Sequence, residues 1–292
     1  MAGRDGLRGG RELERFEAEV ARQQAMGVPL REQLLWRIEQ LTSSQELNLS
    51  KHVAYFPELL ERLTVPGLET WLDKSSVASL GDGGSLELNG FLVVPEPRRL
   101  AGYFERKLLF DANVALHGKF ELVPEDRGAG ICLRFLHGSF ALYDELGLQE
   151  VQLRTGLASG SWYWAQVGFE FQPPGHEDRA ALAKWARAVC EALGVEELNV
   201  EDYATAAGFA RLGGVRKLSF EQLADAFPEK RDEFKALAMQ NGLQMDERIE
   251  FGRAVMLSGP DWSAYLQLNG PSRVAFELAL ASKEERLARE QA

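Results

Sequence analysis

The sequence predicts an α/β (α+β) fold in which a mixed sheet is flanked by helices and extended by helical segments at both ends. Three observations support this class. Residues 1–64 carry helical patterns, residues 65–172 alternate between strand-like and helix-like runs, and residues 173–292 are again mostly helical apart from a short strand pair. These ranges are therefore predicted as an N-terminal arm, a central α/β domain and a C-terminal extension.

Composition disfavours several classes of function. The 292 residues are 45% hydrophobic and 10% aromatic, so the chain can bury a substantial core. The formal net charge of -11 disfavours nucleic-acid binding, which needs a basic surface. The sequence shows neither an apolar run of about 18 residues nor the apolar core of a signal peptide. We therefore expect a cytoplasmic protein with no nucleic-acid or membrane partner.

The cysteines and histidines do not have the spacing of a metal site. Cys132 and Cys190 both lie in apolar, helix-like surroundings, and the four histidines are scattered along the chain. Neither a CxxC nor an HExxH motif occurs. We therefore expect two buried thiols, no disulfide scaffold and no metal.

Helices are predicted along the N-terminal arm. Residues 11–26 place Leu13, Phe16 and Val20 on one stripe, and residues 30–41 show a second amphipathic pattern. A further short helix is predicted over residues 45–64. The arm can either cap the central domain or bind a protein partner, and the sequence leaves both open.

Strand-like runs follow the arm. Residues 86–94 alternate and then become apolar, which predicts a strand pair. Residues 98–109 fit either a short helix or an edge strand. Residues 114–123 alternate clearly, so His117 and Glu121 are predicted to share one face with Lys119.

The most informative segment is the junction that follows this last strand. Glycines there free the backbone to turn, and the helix predicted over residues 131–146 carries partial positive charge at its start. Such a junction is typical of a phosphate-binding cradle, although glycines can also serve backbone geometry alone. The predicted cradle residues are Val123, Arg127, Gly128, Ala129, Gly130, Ile131 and Cys132. The predicted apolar stripe of the helix is Ile131, Phe135, Leu136, Ala141 and Leu142.

The remaining pattern predicts alternating elements and then helices. Gly147 is expected to end the helix that begins at residue 131. A Pro-Pro-Gly linker at residues 173–175 is expected to close the central domain. Strands are predicted over residues 149–154, 168–171, 254–257 and 265–268, and helices over residues 159–166, 177–194, 196–212, 219–240 and from 283 onward. Trp262 is predicted to anchor a turn in the core.

Residues 112–171 resemble the GNAT acyltransferase superfamily. The resemblance rests on the loop from Arg127 to Cys132, on the helix, Gly147 and strand that follow it, and on the closing run from Trp164 to Phe169. It implies that acetyl-CoA or another acyl-CoA is the co-substrate, with the backbone of the cradle facing the CoA pyrophosphate. It also implies direct N-acyl transfer to the amine of a small molecule or peptide.

The resemblance further implies a general acid and a general base. The family often has a tyrosine where this chain has Trp164, whose indole cannot supply a proton in the same way. Tyr163 is the neighbouring substitute, and Glu121 and His117 are the candidate bases. The alternatives are a catalytically degenerate module that binds a protein partner through its helical flanks, and an unrelated α/β protein.

Overall fold

The computed structural model describes residues 5–43, 57–73, 77–79, 84–156, 160–173, 176–196 and 204–291. The chain forms two compact units, residues 1–151 with 287–292, and residues 152–286. The division falls at Gln152, and the domain boundary predicted at residue 173 stays a prediction.

The first unit begins with helices and continues with strands. The helices are α1 (Asp5–Ala25), α2 (Leu30–Ser43) and α3 (Pro57–Arg62). The strands are β1 (Glu69–Leu72), β2 (Val77–Ser79), β3 (Ser85–Val94), β4 (Arg99–Leu109) and β5 (Val114–Leu122). A 3-10 turn at Pro124–Asp126 leads to helix α4 (Ile131–Glu145), and β6 (Glu150–Arg154) begins at the end of this unit.

The N-terminal arm has the predicted pair of helices. Phe16 of α1 stacks on Trp36 of α2 with ring centroids 5.4 Å apart, and Gly27 between the helices takes a left-handed φ of 66°. Leu34 and Ile38 of α2 are fully buried, as expected for an apolar face. Of the third predicted helix, the part over 57–62 is confirmed, whereas residues 45–56 lie outside the described residues.

Strands β1, β3, β4 and β5 pair in that order, each antiparallel to its neighbour, and β2 also pairs with β3. β3 is one ten-residue strand, so the predicted strand pair over residues 86–94 is wrong. β4 is neither a helix nor an edge strand, because it pairs with β3 on one side and β5 on the other. The rings of Phe104 in β4 and Phe135 in α4 pack together with their centroids 4.8 Å apart, so α4 covers this face of the sheet.

A β-bulge interrupts the alternation of β5. Phe104 pairs with Phe120 and Arg106 pairs with His117, so β5 has one residue more than β4 between these two pairs. A bulge reverses the direction of the side chains beyond it. His117 and Phe120 therefore point to the same side of the sheet although their numbers differ by three.

The bulge separates two of the predicted neighbours on β5. His117 bonds to Tyr143 of α4, whereas Lys119 lies over the ring of Tyr103, which points away from α4. Glu121 forms an ion pair with Lys119 on that opposite face. The prediction that His117 shares a face with Lys119 and Glu121 is therefore wrong, since strict alternation ignores the extra residue.

Helix α4 confirms the predicted strand-to-helix order. Its buried side includes the predicted Ile131, Phe135, Leu136 and Leu142, but Ala141 is exposed and does not belong to the stripe. The buried side instead continues through Ser139, Phe140 and Tyr143. Gly147 follows the helix with a φ of 66°, as expected of a residue just beyond a C-cap.

The second unit combines short strands with helices. After the end of β6 come α5 (Gly160–Gln166), β7 (Glu170–Phe171), α6 (His176–Ala192), α7 (Ala206–Ala210), β8 (Lys217–Leu218), α8 (Phe220–Ala226), α9 (Arg231–Gln240), β9 (Ile249–Glu250), α10 (Phe251–Ser258), β10 (Ser263–Gln267) and α11 (Pro271–Gln291), of which the part up to residue 286 belongs to this unit. β7 pairs antiparallel with β10, and β8 pairs antiparallel with β9.

Most predicted elements of this unit are confirmed, but one predicted strand is a helix. Residues 254–257 were expected to form a strand but belong to α10, which is buried along nearly its whole length. A short apolar run cannot distinguish a buried helix from a buried strand. Gly252 lets α10 pack closely against α7, because a Cβ at this position would lie 2.5 Å from the carbonyl oxygen of Phe209 in α7.

Three smaller outcomes complete the comparison. The helix predicted over residues 219–240 is broken at Pro228 into α8 and α9. Of the helix predicted over residues 196–212, the structure shows α7, and residues 197–203 lie outside the described residues. Trp262 is fully buried and its ring lies 4.9 Å from that of Phe171, which confirms its anchoring role.

The predicted fold class is confirmed, because the chain has a mixed α/β fold in which a sheet is flanked by helices. None of the helices in the described ranges is long and apolar enough to cross a membrane.

Candidate functional site

The loop between β5 and α4 is the candidate site. The Val123 N–H donates to the carbonyl oxygen of Ala101 at 2.9 Å, which ties the end of β5 to β4 before the chain turns away. The 3-10 turn follows, and Gly128 and Gly130 then take left-handed φ values of 83° and 75°. Residues with a Cβ rarely adopt these angles, so the glycines determine the path of the loop. We call residues 127–132 the cradle.

The cradle ends at the first turn of α4. Gly130 is the N-cap of this 15-residue helix and offers no side-chain acceptor to the first backbone N–H groups. These groups have no intrahelical partner either, and they concentrate partial positive charge at the helix start. Gly128 and Ala129 are exposed, and a Cβ at Gly128 would meet no atom within 4 Å. The cradle is therefore open on its outer side.

Two arginines hold the cradle in shape. Arg127 is exposed, and its Nε donates to the carbonyl oxygen of Leu122 at 3.1 Å. Arg134, one turn into α4, donates from Nη2 to the carbonyl oxygen of Ala129 at 2.8 Å. Both guanidinium groups bond to the main chain at the edges of the cradle and bring positive charge to it.

An ion pair fixes the turn that precedes the cradle. Both Asp126 carboxylate oxygens accept hydrogen bonds from Arg99 at the start of β4. The bond from Arg99 Nη2 to Asp126 Oδ1 is 2.8 Å long. Asp126 is only 8% exposed, and the hydrogen bond from Arg99 holds the pKa of its carboxyl below the usual value. Sequence reasoning missed this pair, because no local pattern connects Arg99 on β4 with Asp126, which lies 27 residues later in the 3-10 turn.

Beneath α4 lies a buried polar cluster that contains the candidate base His117. His117 is 5% exposed, and its Nε2 lies 2.9 Å from the Tyr143 hydroxyl oxygen. Its Nδ1 has no hydrogen-bond partner among the described residues. Burial, followed by the nearby charge of Arg106, lowers the pKa of His117 well below 6.5. Burial also raises the pKa of Tyr143 to about 12. Both groups are therefore neutral near pH 7.

The other two candidate catalytic residues are more accessible. Glu121 lies on β5, two residues before Val123; it is exposed and 2.7 Å from the Lys119 ammonium. Tyr163 lies on α5 in the second unit and is partly exposed, with its ring 5.3 Å from the ring of Trp164 in an edge-on arrangement. Trp164 in turn lies edge-on to Phe169 at 5.1 Å.

The structure thus brings the seven predicted cradle residues into one loop and helix start, with Glu121 on the strand that leads into it. His117 is close in sequence but lies under α4, away from solvent. Cys132 is only partly buried, whereas Cys190 is 2% exposed, as expected of a core thiol.

Comparison with known proteins adds little to this geometry. Neither a protein-family model nor a curated protein sequence matches the chain. The crystal structure of a nourseothricin acetyltransferase matches over 34% of this chain and 68% of its own, at 16% identity and a TM-score of 0.21. A likeness at that level carries no argument about function.

Proposed function

We propose that this protein binds acyl-CoA through the cradle and transfers the acyl group to the amine of a small molecule or peptide. The observation that carries the proposal is the combination of two left-handed glycines with the uncapped start of a 15-residue helix. Backbone N–H groups in this arrangement are suited to a pyrophosphate, which offers several anionic oxygens at once.

The local charges support an anionic ligand despite the acidic net charge of the chain. Arg127 and Arg134 border the cradle, and the buried carboxylate of Asp126, in the turn before it, is paired with Arg99. Arginine forms charge-assisted hydrogen bonds with phosphate oxygens, which are roughly twice as strong as neutral ones. The cradle is therefore locally favourable for phosphate.

The proposed reaction needs one group that takes a proton and one that supplies it. Glu121 is the proposed base, which removes a proton from the attacking amine directly or through water. The amine nitrogen bonds to the thioester carbonyl carbon, the carbon–sulfur bond breaks, and the CoA thiolate leaves. Solvent water protonates that thiolate. His117 is the weaker candidate base, because its ring is buried and already bonded to Tyr143.

One observation favours a second candidate function, a binding module without catalysis. Trp164 packs edge-on against both Tyr163 and Phe169. This arrangement favours a packing role for Trp164 over the role of a general acid. A protein of this kind would keep the cradle and use its helical flanks to bind a protein partner.

Isothermal titration calorimetry tests the binding step. We expect acetyl-CoA to bind more tightly than S-acetylpantetheine, which carries the same thioester without the pyrophosphate. Gly128→Asp places a carboxylate at the open face of the cradle and is expected to weaken acetyl-CoA binding at least about tenfold, or about 1.4 kcal/mol. Gly242→Asp is the matched control, since Gly242 also has a left-handed φ, 68°, and open space around its Cα.

The outcomes separate the two functions. Equal binding of both thioesters, or equal weakening by both substitutions, would contradict the proposed site. If acetyl-CoA binds as expected, release of CoA thiol with a panel of amines supports the acyltransferase. Binding without thiol release from any amine supports the module.

A further inference from the structure

Arg106 of β4 is a buried cation without an ion-pair partner among the described residues. It is 2% exposed, and its Nη1 donates to the main-chain carbonyl oxygens of Glu105 and Lys119 at 2.7 and 3.1 Å. Its Nε and Nη2 are enclosed, and neither has a hydrogen-bond acceptor in the part of the chain that the structure describes. A guanidinium stays charged in proteins, so this charge needs compensation.

The surroundings of this guanidinium provide only weak compensation. Three aromatic rings lie 5.5 to 6.0 Å from its carbon atom, and the Tyr143 hydroxyl, its polar neighbour on α4, is neutral near pH 7. The Glu105 carboxylate and the Cys132 thiol act on it electrostatically without a hydrogen bond to it. The Glu105 carboxylate instead accepts from the Tyr103 hydroxyl on the opposite face of the sheet, at 3.0 Å. Ring faces attract a cation but leave the two N–H groups without a lone pair.

His117 supplies a second and independent observation. It is 5% exposed and pairs in register with Arg106 across β4 and β5, so the two side chains are neighbours on the face toward α4. Its Nε2 lies 2.9 Å from the Tyr143 hydroxyl oxygen, whereas its Nδ1 is enclosed and has no partner in the described ranges. Burial lowers the pKa of His117, so the ring is neutral and carries one proton. With that proton on Nδ1, Tyr143 donates to Nε2 and the Nδ1–H is a third unused donor.

These three donors favour an anion over a water molecule. A water molecule has two hydrogens that need acceptors of their own, whereas the carbonyl oxygens beside Arg106 already accept from its Nη1. An anion needs donors only, and it also neutralises the buried guanidinium. The unused nitrogen atoms are shut off from solvent, which favours a small ion over the charged end of a larger ligand.

We propose that the buried polar cluster of Arg106, His117 and Tyr143 is a binding site for one small monovalent anion, with chloride as its ligand. The Nε–H and Nη2–H of Arg106 and the Nδ1–H of His117 donate to the ion. Burial is the larger cause of the low pKa of His117 and acts with or without the ion, so the ring stays neutral. The site lies under α4 and not in the cradle, so the inference does not depend on the proposed function.

Urea denaturation of the full-length protein at pH 7.5 tests the site. Chloride replaces gluconate, which is too large for an enclosed site, at constant ionic strength. A ligand that binds only the folded state lowers the unfolding constant tenfold for each tenfold rise in its concentration above Kd. We expect the constant to fall at least about tenfold between about 3 and about 300 mM chloride. A fall of less than about twofold would overturn the proposal.

Two variants assign the effect to this cluster. Arg106→Met is expected to remove the chloride dependence, because it removes the charge and two of the three donors. Arg37→Met is the matched control, since Arg37 is also fully buried but donates from Nη2 to Gln33 Oε1 at 3.1 Å. Its chloride dependence should equal that of the unsubstituted protein. A dependence that survives in a folded Arg106→Met protein, or that both variants lose, contradicts the assignment.

Crystals of the unsubstituted protein grown in sodium bromide give a direct readout that needs no variant, so they decide the question if Arg106→Met does not fold. We expect an anomalous bromide peak within hydrogen-bonding distance of Arg106 Nη2 and His117 Nδ1. Density there without anomalous signal would identify a water molecule and overturn the proposal. A bromide peak without any chloride dependence in urea would mean binding at crystal concentration only, and would overturn it too. Neither measurement involves acyl-CoA, so the failure of one proposal is distinguishable from the failure of the other.

Discussion

His117 makes the stability of the fold depend on pH. In the folded protein burial and the charge of Arg106 lower its pKa well below 6.5, whereas in the unfolded chain the ring titrates near 6.5. Between these two values the unfolded state binds a proton that the folded state does not. The contribution of His117 is therefore present in full above about pH 6.5 and is lost as the pH falls toward the folded-state pKa.

The size of the effect follows from the linkage relation. One proton contributes a slope of about 1.4 kcal/mol per pH unit, so the free energy of unfolding should fall by about 1.4 kcal/mol between pH 7.5 and 5.5 on account of His117. His117→Gln is the comparison, because glutamine can still hydrogen-bond to the Tyr143 hydroxyl but does not titrate. Other groups titrate alike in both proteins, so they cancel in the difference.

Urea denaturation at pH 7.5, 6.5 and 5.5 measures this difference. We expect His117→Gln to be less stable than the unsubstituted protein at pH 7.5, and to recover about 1.4 kcal/mol relative to it by pH 5.5. A difference that stays constant over this range would mean that His117 titrates normally in the fold, and the account of the buried cluster would be refuted.

Three further substitutions have defined outcomes. Asp126→Asn should lower the free energy of unfolding by about 1 kcal/mol at pH 7, a modest figure because the Arg99 side chain is 43% exposed. That loss should disappear as the pH falls below 3.8 through the folded-state pKa of Asp126, and an equal loss at pH 3 and pH 7 in urea denaturation would contradict it. Tyr143→Phe leaves Nε2 of the buried His117 without its partner and should cost about 1–3 kcal/mol in the same assay, so an unchanged midpoint would show that the bond contributes nothing. Gly252→Ala should cost about 1–3 kcal/mol, because the new Cβ would lie 2.5 Å from a carbonyl oxygen of α7; a thermal midpoint equal to that of the parent would contradict this close packing.

Local sequence signals predicted the elements that local chemistry determines. The glycines at 128, 130 and 147 all take the left-handed angles that other residues avoid, so the turns on both sides of α4 were visible in the sequence. The long alternating run over residues 114–123 likewise predicted β5.

Features set by tertiary contacts were not predictable in this way. The bulge in β5 depends on the pairing of this strand with β4. The alternation of apolar and polar residues in the sequence does not reveal the extra residue that turns His117 toward α4. The Arg99–Asp126 pair and the contacts of the buried Arg106 with Lys119 and Phe135 join separate elements of the chain. The helical state of residues 254–257 is decided by burial on all sides, which a four-residue apolar run does not reveal.

The central claim is that the cradle holds the pyrophosphate of CoA. Backbone amide NMR of the ¹⁵N-labelled protein during titration with CoA, and separately with pantetheine, tests it most directly. We predict that CoA shifts the amide signals of Gly128, Gly130, Ile131 and Cys132, and that pantetheine at the same concentration leaves them unchanged. Signals of these four residues that do not move at saturating CoA would contradict the claim.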